Sequence, residues 1–208
     1  VVEDATADAV DWSHLQDRDG VTYLPNTQEP FSGYAKQAYE NEQVEVLAQL
    51  KDGHVVRLKQ WQQNGTPRWD VGFMEGRVGI EGIPLKREGN IKKVGHGPAT
   101  LWHENGQKKA EANLKDGKPD GPATLWYENG QKRQQINYKD GKRDGLDSWW
   151  YENGNKRSET NYKRGKKEGL SQGWNREGGR LSKENYHDGL QNGEATYYYS
   201  GNRIMNQM

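Results

Sequence analysis

Five histidines, His14, His54, His96, His103 and His187, are the side chains best suited to hold a metal or to move a proton near neutral pH. No two of them stand in HxH or HExxH spacing, so a zinc site is not expected. Cysteine is absent, which removes thiolate nucleophiles, disulfides and cysteine-based metal sites together. One GxSxG string occurs, Gly169-Leu170-Ser171-Gln172-Gly173, but it lies inside a repeat with no helix expected after it, so it reads as strand and not as a nucleophile elbow. The stretch Gly95-His96-Gly97-Pro98-Ala99-Thr100 begins like a phosphate-cradling loop, but it lacks the third glycine and a following helix, so it reads as a turn. Asp116 with Asp120, and Asp140 with Asp144, would stack carboxylates along one sheet edge, an arrangement that calcium favours. Lys118 and Lys142 interrupt the acids, and Asp-Gly serves a tight turn in its own right, so these residues are assigned to structure. With no convergent acid, base, nucleophile or metal set, a non-enzymatic protein without cofactor is expected.

The residues that do recur are aromatic. Trp102, Trp126, Trp150 and Trp174 each stand five places beyond a glycine of the series Gly97, Gly121, Gly145 and Gly169, with Trp61 and Tyr198 in matching places of less regular segments. Tyr138, Tyr162 and Tyr186 form a second column, headed by Leu114 and, upstream, by Leu50 and Phe73. These tryptophans and tyrosines are the candidate partner-binding face, because an uncovered aromatic sheet face either packs on its neighbours or binds something. Asn113, Asn137, Asn161 and Asn185 make a third column. It is read as a structural amide ladder, with contact to a glycan or peptide as the other role. Lys108, Lys109, Lys132 and Arg133 lie among acids in a chain of zero net charge, which favours a solvated mixed surface over nucleic-acid binding.

The elements that position these columns follow from a period of 24 residues between successive leading glycines. A fixed period of this size marks a repeat architecture. Within residues 121–144, GPATLWYENGQKRQQINYKDGKRD, the run Leu125-Trp126-Tyr127 favours a pleated strand. Glu128-Asn129-Gly130 supplies a turn, Gln131 to Tyr138 returns, and Lys139-Asp140-Gly141 turns again. Each unit is a β-hairpin, and the fold class is all-β: an elongated single-layer antiparallel sheet of tandem hairpins. A three-residue tip with Gly130 left-handed places Trp126 on the face of Ile136 and Tyr138. A two-residue Asn-Gly turn instead sets Trp126 against Arg133 and shifts the parity.

Composition agrees with a thin structure. Only 31% of the 208 residues are hydrophobic and Phe occurs twice, whereas Trp numbers eight and Tyr eleven. A stack in which each unit packs on its neighbours needs little interior. Residues 1–56 carry 11 acids against 3 bases, leaving 19 acids against 27 bases in residues 57–208. No apolar run is long enough to span a bilayer as a helix. The chain opens at Val1 rather than Met, which fits a removed signal segment or trimming, and an extracytoplasmic location is the expectation.

In chain order, residues 1–16 are expected to be an acidic flexible lead, or a loosely docked one, and residues 17–32 an N-terminal cap, with Val21 to Leu24 as a strand and Pro25-Asn26 as a turn. Residues 33–79 hold two degenerate repeats, in which Glu42 occupies the turn-glycine position. Residues 80–96 break the period and read as a truncated repeat or loop, with Glu88-Gly89-Asn90 as its tip. Residues 97–192 hold four regular repeats, and residues 193–208 a C-terminal half repeat or cap.

The motif Trp126-Tyr127-Glu128-Asn129-Gly130-Gln131-Lys132, with Tyr138-Lys139-Asp140-Gly141-Lys142, resembles the bacterial variant of the membrane occupation and recognition nexus (MORN) repeat. The resemblance extends over residues 33–208, and residues 20–35 resemble the lead-in such proteins carry. It departs at Glu42 and across Ile80 to His96. It implies a sheet that binds other proteins or surfaces, and the family includes proteins catalogued as toxin–antitoxin antitoxin components. The expected function is a scaffold for protein–protein interaction or assembly. A glycan- or surface-binding module and an antitoxin are the alternatives, and the sheet edges offer a route to self-association.

Overall fold

The computed structural model describes residues 2–19, 21–78, 93–199 and 203–207. The expected all-β class holds: tandem hairpins pair antiparallel with their sequence neighbours. The chain divides into two compact units, Val1–Gly106 with Leu114–Gly117, and Gln107–Asn113 with Lys118–Met208. Most of the proposed period break, including the tip at Glu88-Gly89-Asn90, lies outside the described residues.

The N-terminal unit opens with a short helix α1 (Val2–Ala7), strand β1 (Val10–Asp11), a 3₁₀ turn at Trp12–His14, and the two-stranded pair β2 (Gln16–Arg18) and β3 (Val21–Tyr23). Four long strands follow and, with β4, meander antiparallel: β4 (Gly33–Ala38), β5 (Val44–Lys51), β6 (His54–Trp61), β7 (Pro67–Val78) and β8 (Lys93–Trp102). The lead docks on the sheet. Val10 and Asp11 pair in parallel with Ala35 and Lys36, and Lys36 Nζ donates to the Thr6 carbonyl at 2.9 Å. Leu15 is buried against Ala35, Val46, Ala48, Leu50, Val55 and Leu58, with Val10, Trp12, Leu24 and Phe31 packed around them. An acidic composition suggested flexibility, but the apolar residues Val10, Trp12 and Leu15 have an apolar sheet face to cover, and burying it outweighs the ordering cost.

At the first hairpin tip Glu42 adopts φ +66, the left-handed conformation that sequence assigned to this position. A side chain there is strained, and only part of that strain is returned by the smaller unfolded-state entropy of a non-glycine residue. Replacing Glu42 by glycine is therefore expected to stabilise the protein by about 0.5–1 kcal/mol, read as a higher urea midpoint at unchanged slope.

Strand β9 (Lys108–Lys115) is divided between the units. The C-terminal unit continues with β10 (Lys118–Trp126), β11 (Lys132–Lys139), β12 (Lys142–Arg143), β13 (Gly145–Trp150), β14 (Lys156–Lys163), β15 (Lys166–Trp174), β16 (Arg180–His187), β17 (Leu190–Gln191), β18 (Thr196–Tyr199) and β19 (Arg203–Gln207). Each hairpin tip is built alike. The Gly130 amide donates to the Tyr127 carbonyl at 3.0 Å, Tyr127 donates to the Gln131 carbonyl at 2.9 Å, and Gly130 takes φ +80. This is the three-residue loop expected from Glu-Asn-Gly.

The register beyond the tip differs from expectation. Trp126 pairs with Lys132, but Leu125 pairs with Gln134 and Ala123 with Ile136, so Arg133 is an extra residue in a β-bulge. The same shift recurs at Trp150 with Lys156 and at Trp174 with Arg180. One inserted residue inverts the parity of a strand relative to its partner. Ile136 and Tyr138 consequently share the face of Gly121, Ala123 and Leu125, while Trp126 stands on the opposite face.

Candidate functional site

The bulge sorts the repeat's aromatic residues into two rows on opposite faces of the C-terminal unit. On one face, each tryptophan pairs with the cation of its own hairpin and meets the cation of the hairpin before. Lys108 Nζ lies 6.0 Å from the Trp126 ring centroid, Lys132 Nζ 6.0 Å from Trp150, Lys156 Nζ 5.9 Å from Trp174, and the Arg180 guanidinium 5.9 Å from Tyr198. Successive main strands thus contribute a cation and an aromatic ring in alternation: Lys108, Trp126, Lys132, Trp150, Lys156, Trp174, Arg180, Tyr198. The three tryptophans are half-buried, so their rings are part of the surface. Residues three further along the chain brace the cations, because the bulge returns them to the same face. Lys108 pairs with Glu111 at 2.9 Å, Lys132 Nζ donates to Gln135 at 3.0 Å, and Lys156 pairs with Glu159. A Lys or Arg at this range from an aromatic face gains about 0.5–1 kcal/mol in exposed settings.

In the N-terminal unit Trp102 and Trp61 stand on the face opposite Trp69, because Gln60 pairs with Trp69 and Trp69 with Leu101. Trp69 packs on the buried core. Tryptophans of the repeat column therefore leave the core face to other residues.

The opposite face of the C-terminal unit carries Tyr138, Tyr162 and Tyr186. Tyr138 pairs with Arg143 and Tyr162 with Lys167, and the Arg143 and Lys167 cations in turn lie 5.2 Å and 4.3 Å from the Tyr162 and Tyr186 centroids. Between these tyrosines and the hairpin tips the face combines the apolar Ala123, Leu125 and Ile136 with buried polar groups. Asp147 is 2% exposed, accepts from Gln134 Nε2 at 2.8 Å and faces Arg143 Nη1 at 3.3 Å. Burial works against the Arg143 charge, but the Tyr162 hydroxyl and the Asp147 carboxylate more than offset it and raise its pKa. Thr160 and Ser171 share a hydroxyl hydrogen bond of 2.8 Å. Tyr186 donates to the Glu184 carboxylate, and that bond, with burial, pushes the phenol up to about 12. Every buried polar group named here has a partner, as a polar sheet face requires.

In the two remaining columns, Asn137 and several acids bond to the turns. Asn137 lies on the tryptophan face, but its amide donates to the Asp144 carbonyl at 2.9 Å and closes the turn of its own unit. Acids beside the turns cap them. Asp120 accepts from the Asp140 amide at 3.3 Å, Asp144 from Arg164 at 3.1 Å, and Glu168 from Asp188 at 2.9 Å. The Asp188 amide, followed by His187, holds the Glu168 carboxyl below its ordinary range. Among the described residues no cluster of three His, Cys, Asp or Glu side chains is placed to hold a metal ion.

Sequence reading missed the staples between hairpins. The Tyr127 hydroxyl donates to the Trp150 carbonyl at 2.8 Å and Tyr151 to Trp174 at 2.9 Å, while Asn129 Nδ2 reaches the Glu152 carbonyl at 2.9 Å. The identity of Tyr-Glu-Asn-Gly across units was the available signal. Tyr151→Phe is expected to cost about 0.5–1.5 kcal/mol, measured by urea unfolding, with the tryptophan row otherwise intact.

No curated protein shows a significant match to the chain. Residues 95–116, 119–140 and 143–164 each match the MORN repeat variant, and these three tandem segments supply Trp102, Trp126 and Trp150 together with the cations Lys108, Lys132 and Lys156.

Proposed function

We infer that this protein is a non-enzymatic repeat scaffold that holds a protein partner or a larger assembly against the tryptophan face. The observation that carries this reading is the row from Lys108 to Tyr198, in which half-buried rings and cations alternate across the C-terminal unit. Aromatic and cationic side chains on a stiff element contribute binding area at a small entropic cost. The cations hold the rings in place before a partner arrives. Carboxylates engage cations in both rows, Glu111 and Glu159 in the tryptophan row and Asp147 at Arg143 in the tyrosine row.

The test is capture of binding proteins from the native source by immobilised protein. Trp126→Ala with Trp150→Ala is expected to reduce capture at least about tenfold, the loss of roughly one central anchor, while unfolding stays cooperative. Lys132→Glu with Lys156→Glu keeps both rings and is expected to weaken capture in a salt-dependent manner. Unchanged capture by both variants would remove this face from the account.

A further inference from the structure

An asparagine followed by glycine is prone to lose its side-chain amide without any enzyme, because glycine has no Cβ to block attack of its own nitrogen on the asparagine side chain. The chain holds five such pairs: Asn64-Gly65, Asn105-Gly106, Asn129-Gly130, Asn153-Gly154 and Asn192-Gly193. Four of them are hairpin tips, and there the glycine nitrogen is occupied. Gly65 donates to the Gln62 carbonyl at 2.9 Å, Gly106 to His103 at 3.0 Å, Gly130 to Tyr127 at 3.0 Å and Gly154 to Tyr151 at 2.9 Å. The asparagine side chains at three of these tips are held as well. Oδ1 of Asn64, Asn129 and Asn153 accepts the amide two residues on, at 2.9, 2.9 and 3.1 Å. Nδ2 of Asn129 and of Asn153 also donates to a carbonyl of the next hairpin. Attack at a tip must first break these bonds.

The fifth pair lies in the turn between β17 and β18, and it lacks these restraints. The Asn192 main-chain amide is anchored, donating to the Asn185 carbonyl at 2.8 Å. Both residues are exposed, and among the described residues neither the Asn192 side chain nor the Gly193 amide has a hydrogen-bond partner. Gly193 takes φ +84 and Gly130 φ +80, so the two glycines differ in bonding rather than in φ. A Cβ added at Gly193 would meet nothing within 4 Å, which leaves room for a ring to close. We propose that Asn192 is a self-modifying site, converted to aspartate and isoaspartate while the four tip asparagines persist. The Gly193 nitrogen bonds to Asn192 Cγ, the Cγ–Nδ2 bond breaks, and Nδ2 leaves as ammonia, taking the proton of the Gly193 amide. Water then opens the resulting succinimide at either carbonyl. Opening at Cγ gives aspartate, and opening at the main-chain carbonyl gives isoaspartate, which lengthens the main chain just ahead of β18.

The experiment is incubation of the folded full chain at mildly alkaline pH, with mass-spectrometric peptide mapping of all five asparagines over time. Asn192 is expected to convert at least about tenfold faster than any tip asparagine, because each tip must first give up hydrogen bonds that the Asn192-Gly193 pair does not make. The same incubation in urea, with the chain unfolded, is expected to bring the five rates together, since glycine follows every one of these asparagines. Gly193→Ala, which hinders ring closure, is expected to slow conversion at Asn192 and to leave the tips unchanged. Comparable rates at Asn192 and Asn129 in the folded protein would overturn the assignment. So would an order of rates that survives unfolding, which would place its cause in the flanking sequence rather than in the fold. Undiminished conversion in Gly193→Ala would overturn the route through the Gly193 nitrogen.

Discussion

Leu58→Ala is expected to destabilise the N-terminal unit by about 2–5 kcal/mol, the range for removing a fully enclosed leucine from a core that closes only partly around the gap. Leu58 has no exposed surface and lies between Ala48 and Val71 in the register of adjacent strands. Both neighbours are smaller, and Ala48 is also fully buried, so neither can reach into the space left behind. Fluorescence-detected urea unfolding should show an early transition, because Trp12 and Trp69 pack on this cluster. The comparison with Ile136→Ala is informative. Ile136 is 2% exposed, but its neighbours in the C-terminal unit include Ala123 and the polar residues Gln134 and Asp147. A loss confined to one transition in each variant would show that the two units melt separately.

Gly53→Ala is the second large effect. Gly53 has φ +75, and a methyl group added there would stand 2.4 Å from Val21 Cγ1 and 2.9 Å from the Thr22 carbonyl oxygen. The left-handed conformation costs an alanine about 1–2 kcal/mol, and overpacking against β3 adds about 1–3 kcal/mol. Backbone bonds tie the same place together: Thr22 donates to the Gly53 carbonyl at 3.0 Å and Gly53 to the Phe31 carbonyl at 2.8 Å. Displacing β3 would therefore break the seam between the N-terminal cap and the first turn. Gly65→Ala is the control, with φ +82 and no atom within 4 Å of the added group. It should show the backbone cost alone in a parallel denaturation series.

Much of this fold was legible because each unit repeats its turn chemistry. Glu-Asn-Gly announces the tip, and Asp-Gly announces the other turn, where Asp140 and Gly141 take φ +51 and +77. Even the exception was readable, since Glu42 keeps the conformation its column requires. The bulge at Arg133 was not legible. Nothing in Lys132-Arg133-Gln134 marks an inserted residue, and the tip alone predicts an uninterrupted register. That single residue decides which side Trp126 faces, so the expected common face of tryptophans and tyrosines became two rows. What the lead packs on was not legible for a different reason: its acids are conspicuous in sequence, whereas Val10, Trp12 and Leu15 gain meaning only once the sheet face they cover is known. The structural assignment of Asp120 and Asp144 was legible, but their partners were not, because the turn amides they accept from are contributed by the following hairpin.

The central claim is that a bulge in each hairpin places the tryptophan row opposite the tyrosine row, and backbone nuclear Overhauser contacts across β10 and β11 test it most directly. The bulged register predicts contacts between Ala123 and Ile136, and between Leu125 and Gln134, together with Trp126 and Lys132. Contacts of Ala123 with Gln135 and of Leu125 with Arg133 would contradict it, returning Trp126 to the side of Tyr138 and dissolving the alternating row.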